Sequence, residues 1–398
     1  MSTPARAVDV GGVKDAVCRA VDAQSGSIRA LSHAVHDARE TAFQERRSSR
    51  LVAEALARGG LAVTPGAYGL PTAVEATAGG GGPQVVICCE YDALPGLGHA
   101  CGHNLITAAG VGAAVALRCW ASRLGGRLTV LGTPAEEGGG GKILLADRGA
   151  FDGADAVLLV HPGTEDLITP ALRAAAGWRA VFRGRPAHAA MSAARGRNAL
   201  DAAVLAYQAI GAARATLPWG QHVAAVLTEG GVAANLVPDR SVLQLTLRSQ
   251  TTDGLQALQR RVTACCLAGA EATGCRVTTQ PSGPVFRELR VDAALARAFA
   301  ANAARTGRRL RAADAAAVAT AGSTDLGNVS HLAPTIHPML ALGPGRLAPH
   351  TRAFAEAARS PDGDLLAVDG AKAMAMTAID VWTSDPPSLL RAANPGRT

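Results

Sequence analysis

Aromatic residues, lysines and long apolar stretches are all scarce in this 398-residue chain, and each scarcity argues against a class of protein. Aromatic residues make up only 3% of the sequence, too few for the stacking platforms that bind single-stranded nucleic acid. The formal net charge is +7, but the chain has only three lysines, and its arginines are scattered rather than gathered into a basic arm. We therefore expect no nucleic-acid partner.

Signals for export and membrane insertion are also missing. The first twelve residues lack the apolar core of a signal peptide, and no segment is long and apolar enough for a convincing membrane span. The eight cysteines lie mostly within apolar runs of a long chain, which favours reduced thiols over a disulfide framework. The sequence thus predicts a cytoplasmic protein without a membrane partner.

What the chain does have is an alternation of apolar segments. Three short strand-like runs, "QVVICCE", "RLTVLG" and "DAVLLV", are separated by helical stretches in the first part of the sequence. This order is typical of βαβ units in a parallel sheet. Because the chain is too long for one compact core, we expect two domains.

The rhythm changes near residue 177. From there the segments follow the order β-α-β-β-α-β of a ferredoxin-like α+β module. Helical and βα-like segments resume afterwards, so the module is predicted to be inserted. The fold class is therefore α/β, with a mainly parallel-sheet catalytic domain formed by residues 1–176 and 285–398. Residues 177–284 are predicted to form an inserted lid or dimerisation domain.

Polar residues follow each of the three strand-like runs. "EYD" ends the first, "TPAEE" the second, and His161 the third. Ligands of open α/β sheets bind in the crevice outside the carboxyl ends of the strands. We therefore expect these residues to form one site.

The short segment "HACGHN" suggests what this site binds. It concentrates two histidines and one cysteine, and Cys101 and His103 alternate about Gly102. In an extended or turning backbone both side chains can point the same way. A thiolate and an imidazole together suit Zn²⁺ or a similar transition metal.

Two adjacent glutamates need different roles, because two like charges at one position would force a proton onto one of them. We predict that Glu137 binds metal while Glu136 takes the proton from a metal-activated water. His161 and His350 complete a ligand set, with Cys101 and His103, that is fit for two divalent metal ions.

Other catalytic motifs fit less well. The "GGGGK" segment ending at Lys142 resembles a phosphate-binding loop, but that motif requires Gly at position 136 and Ser or Thr at position 143. Neither a GxSxG nor an HExxH motif occurs. A nucleophilic Cys101, with His99 or His103 as its base, is an alternative, but it leaves the paired glutamates and the distant histidines unexplained.

A family resemblance accompanies these patterns. "EYDALPGLGHACGHN", "GTPAEEGGGGK", "NLVPD", "GSTDLGNVSHLAPTIHP" and "PHTRAFAEAA" resemble, in order, blocks of the co-catalytic metallopeptidase family that includes aminoacylase and glutamate carboxypeptidases. The similarity is greatest to the branch with auxin-conjugate hydrolases and aminobenzoyl-glutamate hydrolase. Within that branch the sequence motifs most resemble those of the β-alanyl-lysine (Xaa-Arg) dipeptidases.

The resemblance implies roles for further residues. It implies that Asp92 orients a metal ligand and that His188 stabilises the tetrahedral oxyanion. Asn235 and Arg248 would bind the carboxylate of the substrate, a task suited to the flat guanidinium group. The inserted domains of relatives often pair, so a homodimer is expected.

The sequence therefore predicts an enzyme that hydrolyses the amide bond of a small dipeptide or N-acyl amino acid. The metals are expected to be Zn²⁺, with Mn²⁺ or Co²⁺ as alternatives. Two other functions stay open: a non-hydrolytic binding or regulatory homologue, and a biosynthetic enzyme that transfers or releases an acyl group on a specialised metabolite.

Overall fold

A computed structural model of the chain describes residues 8–314, 321–345 and 347–384. The chain divides into two compact units. Unit 2 comprises Leu172–Leu289 and Ala321–Gly327, and unit 1 contains the rest of the described chain. The domain limits 177 and 284 stay a prediction from the sequence.

The strands of unit 1 are β1 (Ala62–Pro65), β2 (Val74–Gly79), β3 (Gln84–Glu90), β4 (Arg127–Thr133), β5 (Ala156–Leu158), β6 (His161–Gly163), β7 (Leu167–Thr169), β12 (Arg311–Ala312), β13 (Thr335–Ile336) and β14 (Met339–Ala341). Six of them form a sheet with the order β1-β2-β4-β3-β5-β13. Strands β3, β4, β5 and β13 are parallel, while β1 and β2 add an antiparallel edge. The mainly parallel α/β architecture is confirmed.

Helices cover this sheet and form the largest apolar core. They are α1 (Val10–Ala23), α2 (Ser25–Ala38), α3 (Arg46–Arg58), α4 (His103–Arg123), α5 (Gly141–Ala146), α8 (Ala293–Ala304), α10 (Arg352–Ala357) and α11 (Pro361–Thr383). A further short helix, α9, spans Leu326–Val329. Helix α4 is the one described helix with the length and hydropathy to cross a membrane, and 72% of its apolar window is buried inside the structure. Its small residues pack against α11 and β3, as in a core helix.

The placement of His161 differs from the sequence-based expectation. Strand β5 ends at Leu158, and His161 begins β6, which belongs to a second, four-stranded sheet with the order β12-β7-β14-β6. His161 pairs with Met339 in that sheet. The apolar run "DAVLLV" is thus longer than the strand it forms, because its last residues, Leu159 and Val160, are buried between the two strands. A run of apolar residues therefore indicates that a segment is buried but does not give the length of its strand.

Unit 2 has the element order β8 (Ala174–Arg183), α6 (Ala199–Arg214), β9 (His222–Glu229), β10 (Arg240–Ser249), α7 (Thr252–Ala272) and β11 (Arg276–Phe286). The antiparallel sheet has the order β11-β8-β10-β9, and α6 and α7 pack on it around a separate core. This is the ferredoxin-like arrangement expected for the inserted module.

Candidate metal centre

Cys101 lies in the segment between strand β3 and helix α4, and His103 is the first residue of that helix. Gly102 between them has φ +78°, and α4 begins directly at His103. A β-carbon on Gly102 would lie 2.5 Å from Cγ of Pro162, so only glycine fits this turn. The turn places Sγ of Cys101 3.6 Å from Nε2 of His161.

The His103 ring is completely buried, and a hydrogen bond at Nδ1 orients it. Its Nδ1 lies 3.0 Å from Oδ1 of Asp92, while its Nε2 has no hydrogen-bond partner among the described residues. Burial alone would lower the pKa of His103, but Asp92 and then Cys101 outweigh it and raise that pKa. A carboxylate behind one ring nitrogen and a free second nitrogen are the usual arrangement of a metal-binding histidine.

Glu136 and Glu137 lie in the turn after β4, where the glycine run allows an irregular backbone. A β-carbon on Gly141 would lie only 1.8 Å from the carbonyl oxygen of Pro134, so the turn needs glycine there. The backbone N–H of Glu137 donates to Oδ2 of Asp92 at 3.0 Å. Asp92 therefore contacts both His103 and the glutamate turn.

His350 reaches the same region from a distant part of the chain. Its backbone N–H donates to the carbonyl oxygen of Ala100 at 2.8 Å, and its φ is +63°. Its Nε2 lies 3.6 Å from Oε1 of Glu137, an atom that otherwise has no hydrogen-bond partner in the described chain. Burial, followed by the neighbouring His337, lowers the pKa of His161 to about 3, so its imidazole is neutral and able to bind a metal.

These donors form three overlapping groups in unit 1. Within each group the ligand atoms lie within 4.8 Å of one another, and the groups are Cys101–His103–His161, Cys101–Glu137–His350 and His103–Glu136–Glu137. Thiolate, imidazole and carboxylate are donors that suit Zn²⁺ and similar cations. The buried, unpartnered Nε2 of His103 and Oε1 of Glu137 also fit a bound cation.

The environment of Cys101 argues against a thiol nucleophile. Burial raises the pKa of its thiol well above the ordinary value, whereas a nucleophilic cysteine needs a lowered pKa. Nε2 of His99, the alternative base for such a thiol, instead forms a hydrogen bond with the carbonyl oxygen of Val35 at 3.0 Å. A cation bound beside the sulfur would favour the deprotonated thiolate. A buried Cys101 with a raised pKa is therefore compatible with a metal ligand, although not with a free nucleophile.

Three buried residues next to the ligands received no role from the sequence. Oε2 of Glu90 lies 3.4 Å from Nε2 of His103, and Oε1 of Glu90 lies 2.5 Å from Nζ of Lys142. His337 stacks on His161 with ring centroids 5.1 Å apart. The sequence signals that could have indicated these roles were the position of Glu90 at a strand end and a lysine directly after a glycine run.

The substrate-binding residues implied by the family resemblance lie in unit 2. His188 and Asn235 are exposed on adjacent segments, where the N–H of Ala189 donates to the carbonyl oxygen of Asn235 at 2.9 Å. Nδ1 of His188 accepts hydrogen bonds from the N–H groups of Ala190 and Met191. Arg248 lies separately on β10, half-buried, and donates from Nη1 to Oγ of Ser323 at 3.1 Å.

Comparison with known proteins identifies the family. The model of peptidase family M20/M25/M40 matches residues 88–366, which contain every proposed metal ligand. The chain belongs to this family. The prediction of a hydrolase from the aminoacylase and carboxypeptidase family is thereby confirmed. The chain is 38% identical to mouse (Mus musculus) Xaa-Arg dipeptidase over 376 residues, which cover 91% of this chain and 87% of the relative.

A more distant relative and two solved structures agree with this assignment. The chain is 33% identical over 273 residues to a p-aminobenzoyl-glutamate hydrolase component from Escherichia coli (strain K12), covering 61% of this chain and 55% of that protein. An aminobenzoyl-glutamate utilization protein from Klebsiella pneumoniae has the same fold, with a TM-score of 0.71, 20% identity and coverage of 91% and 98% of the two chains. A dinuclear metal binding peptidase of family M20 from Bacillus subtilis gives a TM-score of 0.70, 20% identity and coverage of 90% and 99%.

Proposed function

We propose that this protein is a two-metal amidohydrolase that cleaves the amide bond of a dipeptide or an N-acyl amino acid. The observation that carries the proposal is the convergence of two three-ligand groups that share Cys101, with Glu136 beside them. The names of the relatives, a dipeptidase and an aminobenzoyl-glutamate hydrolase, support the substrate class.

Two divalent cations would be held by the residues of these groups. Cys101, His103 and His161 would bind one, and Cys101, Glu137 and His350 the other. When bound, such ions polarise a carbonyl oxygen and lower the pKa of water from 15.7 towards about 7. We propose Zn²⁺ because a thiolate and imidazoles are among the donors, with Mn²⁺ or Co²⁺ as alternatives.

Glu136 would move the proton during the reaction. Its Oε2 lies 3.8 Å from Nε2 of His103, so its carboxylate borders the ligand groups. The carboxylate would accept a proton from the attacking water and then donate it to the nitrogen of the leaving amine as the C–N bond breaks. Asp92 would hold His103 and the turn that carries the two glutamates in place.

Unit 2 would supply substrate recognition. By family resemblance, we propose that His188 stabilises the oxyanion and that Asn235 and Arg248 bind the substrate carboxylate. Residues 1–176 and 285–398 would form the catalytic domain and 177–284 a lid or dimerisation domain, in a cytoplasmic homodimer. All eight cysteines lie in the described part of the chain as free thiols, which is consistent with that compartment.

The first experiment separates the general base from the ligands. Glu136→Gln should keep wild-type metal content and lower kcat by at least about 100-fold, because the amide cannot accept the proton. Glu271→Gln, an exposed glutamate on α7, serves as the matched control and should leave both quantities unchanged. Full turnover of the metal-loaded Glu136→Gln variant would contradict the assignment.

A substrate panel tests hydrolysis itself. Protein loaded with Zn²⁺, Mn²⁺ or Co²⁺ should hydrolyse dipeptides or N-acyl amino acids, and dipeptides that end in arginine or lysine come first because of the similarity to Xaa-Arg dipeptidase. Release of the free amine is measured by mass spectrometry. Binding of these compounds without hydrolysis would instead support a non-hydrolytic homologue.

A further inference from the structure

Lys142 lies at the start of α5, directly after the glycine run, and its side chain is completely buried. A buried ammonium group is costly unless an opposite charge and hydrogen bonds compensate for it. Its Nζ lies 2.5 Å from Oε1 of Glu90, which is also completely buried and is the last residue of β3. The ion pair therefore connects the glutamate turn after β4 to the end of the neighbouring strand.

The other oxygen of Glu90 faces a proposed metal ligand. Its Oε2 lies 3.4 Å from Nε2 of His103, while Asp92 contacts Nδ1 of the same ring. The His103 ring thus lies between two carboxylates from the end of one strand. Glu90 therefore lies between Lys142 and the ligand atom of His103.

The turn that carries Glu136 and Glu137 is held by contacts with other parts of the chain, such as the hydrogen bond from the N–H of Ala135 to Glu45. It is followed by four glycines, of which Gly138 has open space around its α-carbon and Gly140 has φ +64°. Glycine has more accessible backbone conformations than any other residue, so a glycine run by itself does not select one conformation. The backbone N–H of Glu137, bonded to Asp92, holds the turn before the glycine run, and the Lys142 ion pair holds the chain after it.

We propose that the Glu90–Lys142 pair is a positioning device that fixes the glutamate turn against Cys101 and His103. Because Lys142 is completely buried, it would act through Glu90 and the turn. Its positive charge also reduces repulsion among the carboxylates of Glu90, Asp92, Glu136 and Glu137. The inference rests on the proposed function, because it assumes that these residues hold metal ions.

The test compares three variants. Lys142→Met leaves the Glu90 carboxylate buried without this partner, so it can fail to fold, whereas the double variant Glu90→Gln/Lys142→Met removes both charges. Lys142→Arg keeps the charge and should retain part of the wild-type behaviour. Each apoprotein is titrated with Co²⁺, the thiolate–Co²⁺ absorption band is recorded, and the affinity is measured by competition with a chelator.

If the pair positions the turn, the double variant should fold but bind Co²⁺ about 10- to 100-fold more weakly, with a changed thiolate–Co²⁺ band. Its kcat should fall by a similar factor with little change in KM. A wild-type spectrum, affinity and kcat in the double variant would overturn the inference and leave the pair a purely structural one. Failure of the double variant to fold, while Lys142→Met folds and binds Co²⁺ normally, would overturn it as well.

A second ion pair in unit 1 provides the matched control. Nζ of Lys14 on α1 lies 2.5 Å from Oδ1 of Asp380 on α11, and both side chains are largely buried. Lys14→Met/Asp380→Asn should lower thermal stability without altering the Co²⁺ spectrum. If the wild-type protein shows no thiolate–Co²⁺ band and no hydrolysis, the proposed function fails. If it shows both and the double variant matches it, only the positioning inference fails.

Discussion

Glu45 illustrates how one buried side chain prepares the glutamate turn. Its Oε1 accepts hydrogen bonds from the N–H groups of Phe43 and Ala135, each at 2.9 Å. Both of these residues have φ +59°, a conformation that costs a non-glycine residue about 1–2 kcal/mol. The hydrogen bonds to Oε1 of Glu45 offset this cost at both residues. The burial that allows them also raises the pKa of Glu45 to about 7, with a further contribution from the Asp92 carboxylate.

This raised pKa predicts a pH-dependent stability. Between about pH 4.5 and 7 the folded state binds a proton at Glu45 that the unfolded chain has already released, so the contribution of Glu45 to the free energy of unfolding falls as pH rises through this window. The change is at most on the order of 3 kcal/mol, because one pKa unit corresponds to about 1.4 kcal/mol. Glu45→Gln should remove this contribution, so that the slope of the unfolding free energy against pH, measured by denaturant titrations across the window, becomes more positive than in the wild type. Glu54→Gln, on the exposed face of α3, should retain the wild-type slope, and an unchanged slope in Glu45→Gln would contradict the argument.

At the scale of elements, the start of α4 is the most constrained feature of the site. Helix α4 begins at His103, with Gly102 as the N-cap. The helix start therefore sets the direction of the His103 side chain relative to Cys101.

Gly102→Ala should disturb this element. The alanine would adopt φ +78° at a cost of about 1–2 kcal/mol, and its β-carbon would overlap Pro162. We expect a lower melting temperature and at least about 10-fold weaker metal binding, measured by chelator competition, because Cys101 and His103 are displaced relative to each other. Gly66→Ala is the matched control, since Gly66 has φ +65° and open space around it. Normal metal binding in Gly102→Ala would show that the ligands tolerate the displaced turn.

At the scale of the whole molecule, the proposed ligands connect parts of unit 1 that are far apart in the sequence. Cys101 lies before α4, His161 begins β6, and His350 precedes α10. The residues of the three ligand groups named above all lie in unit 1, and unit 2 has its own apolar core. Bound metal ions should therefore stabilise unit 1 in particular.

Metal removal tests this expectation. A cation present at about 100 to 1,000 times its dissociation constant stabilises the folded state by about 3–4 kcal/mol. Chelation should therefore lower the melting temperature and increase hydrogen exchange in peptides around Cys101, Glu137 and His350. Peptides from α6 and α7 of unit 2 provide the internal control. Identical exchange before and after verified metal removal would show that the ions do not hold unit 1 together.

Local patterns along the chain are sufficient to predict the strands and helices that repeat a short-range period. The apolar runs of β3 and β4 and the helices α3, α6 and α7 are visible because burial on a face imposes a periodicity that a short window detects. The donor types in "HACGHN" and "AEEGGGGK" likewise indicated a metal centre, since few other sites concentrate such side chains in turns.

Which donors meet, and which residues support them, depends on contacts between segments that are distant in the sequence. The placement of His161 on β6, the ion pair between Glu90 and Lys142, and the contact of Glu45 with Ala135 all join residues from separate segments. No local period encodes such contacts, because the cost of burying a charge depends on the partner that packing brings beside it. A buried lysine and an exposed one have the same sequence signal, and the folded chain alone distinguishes them.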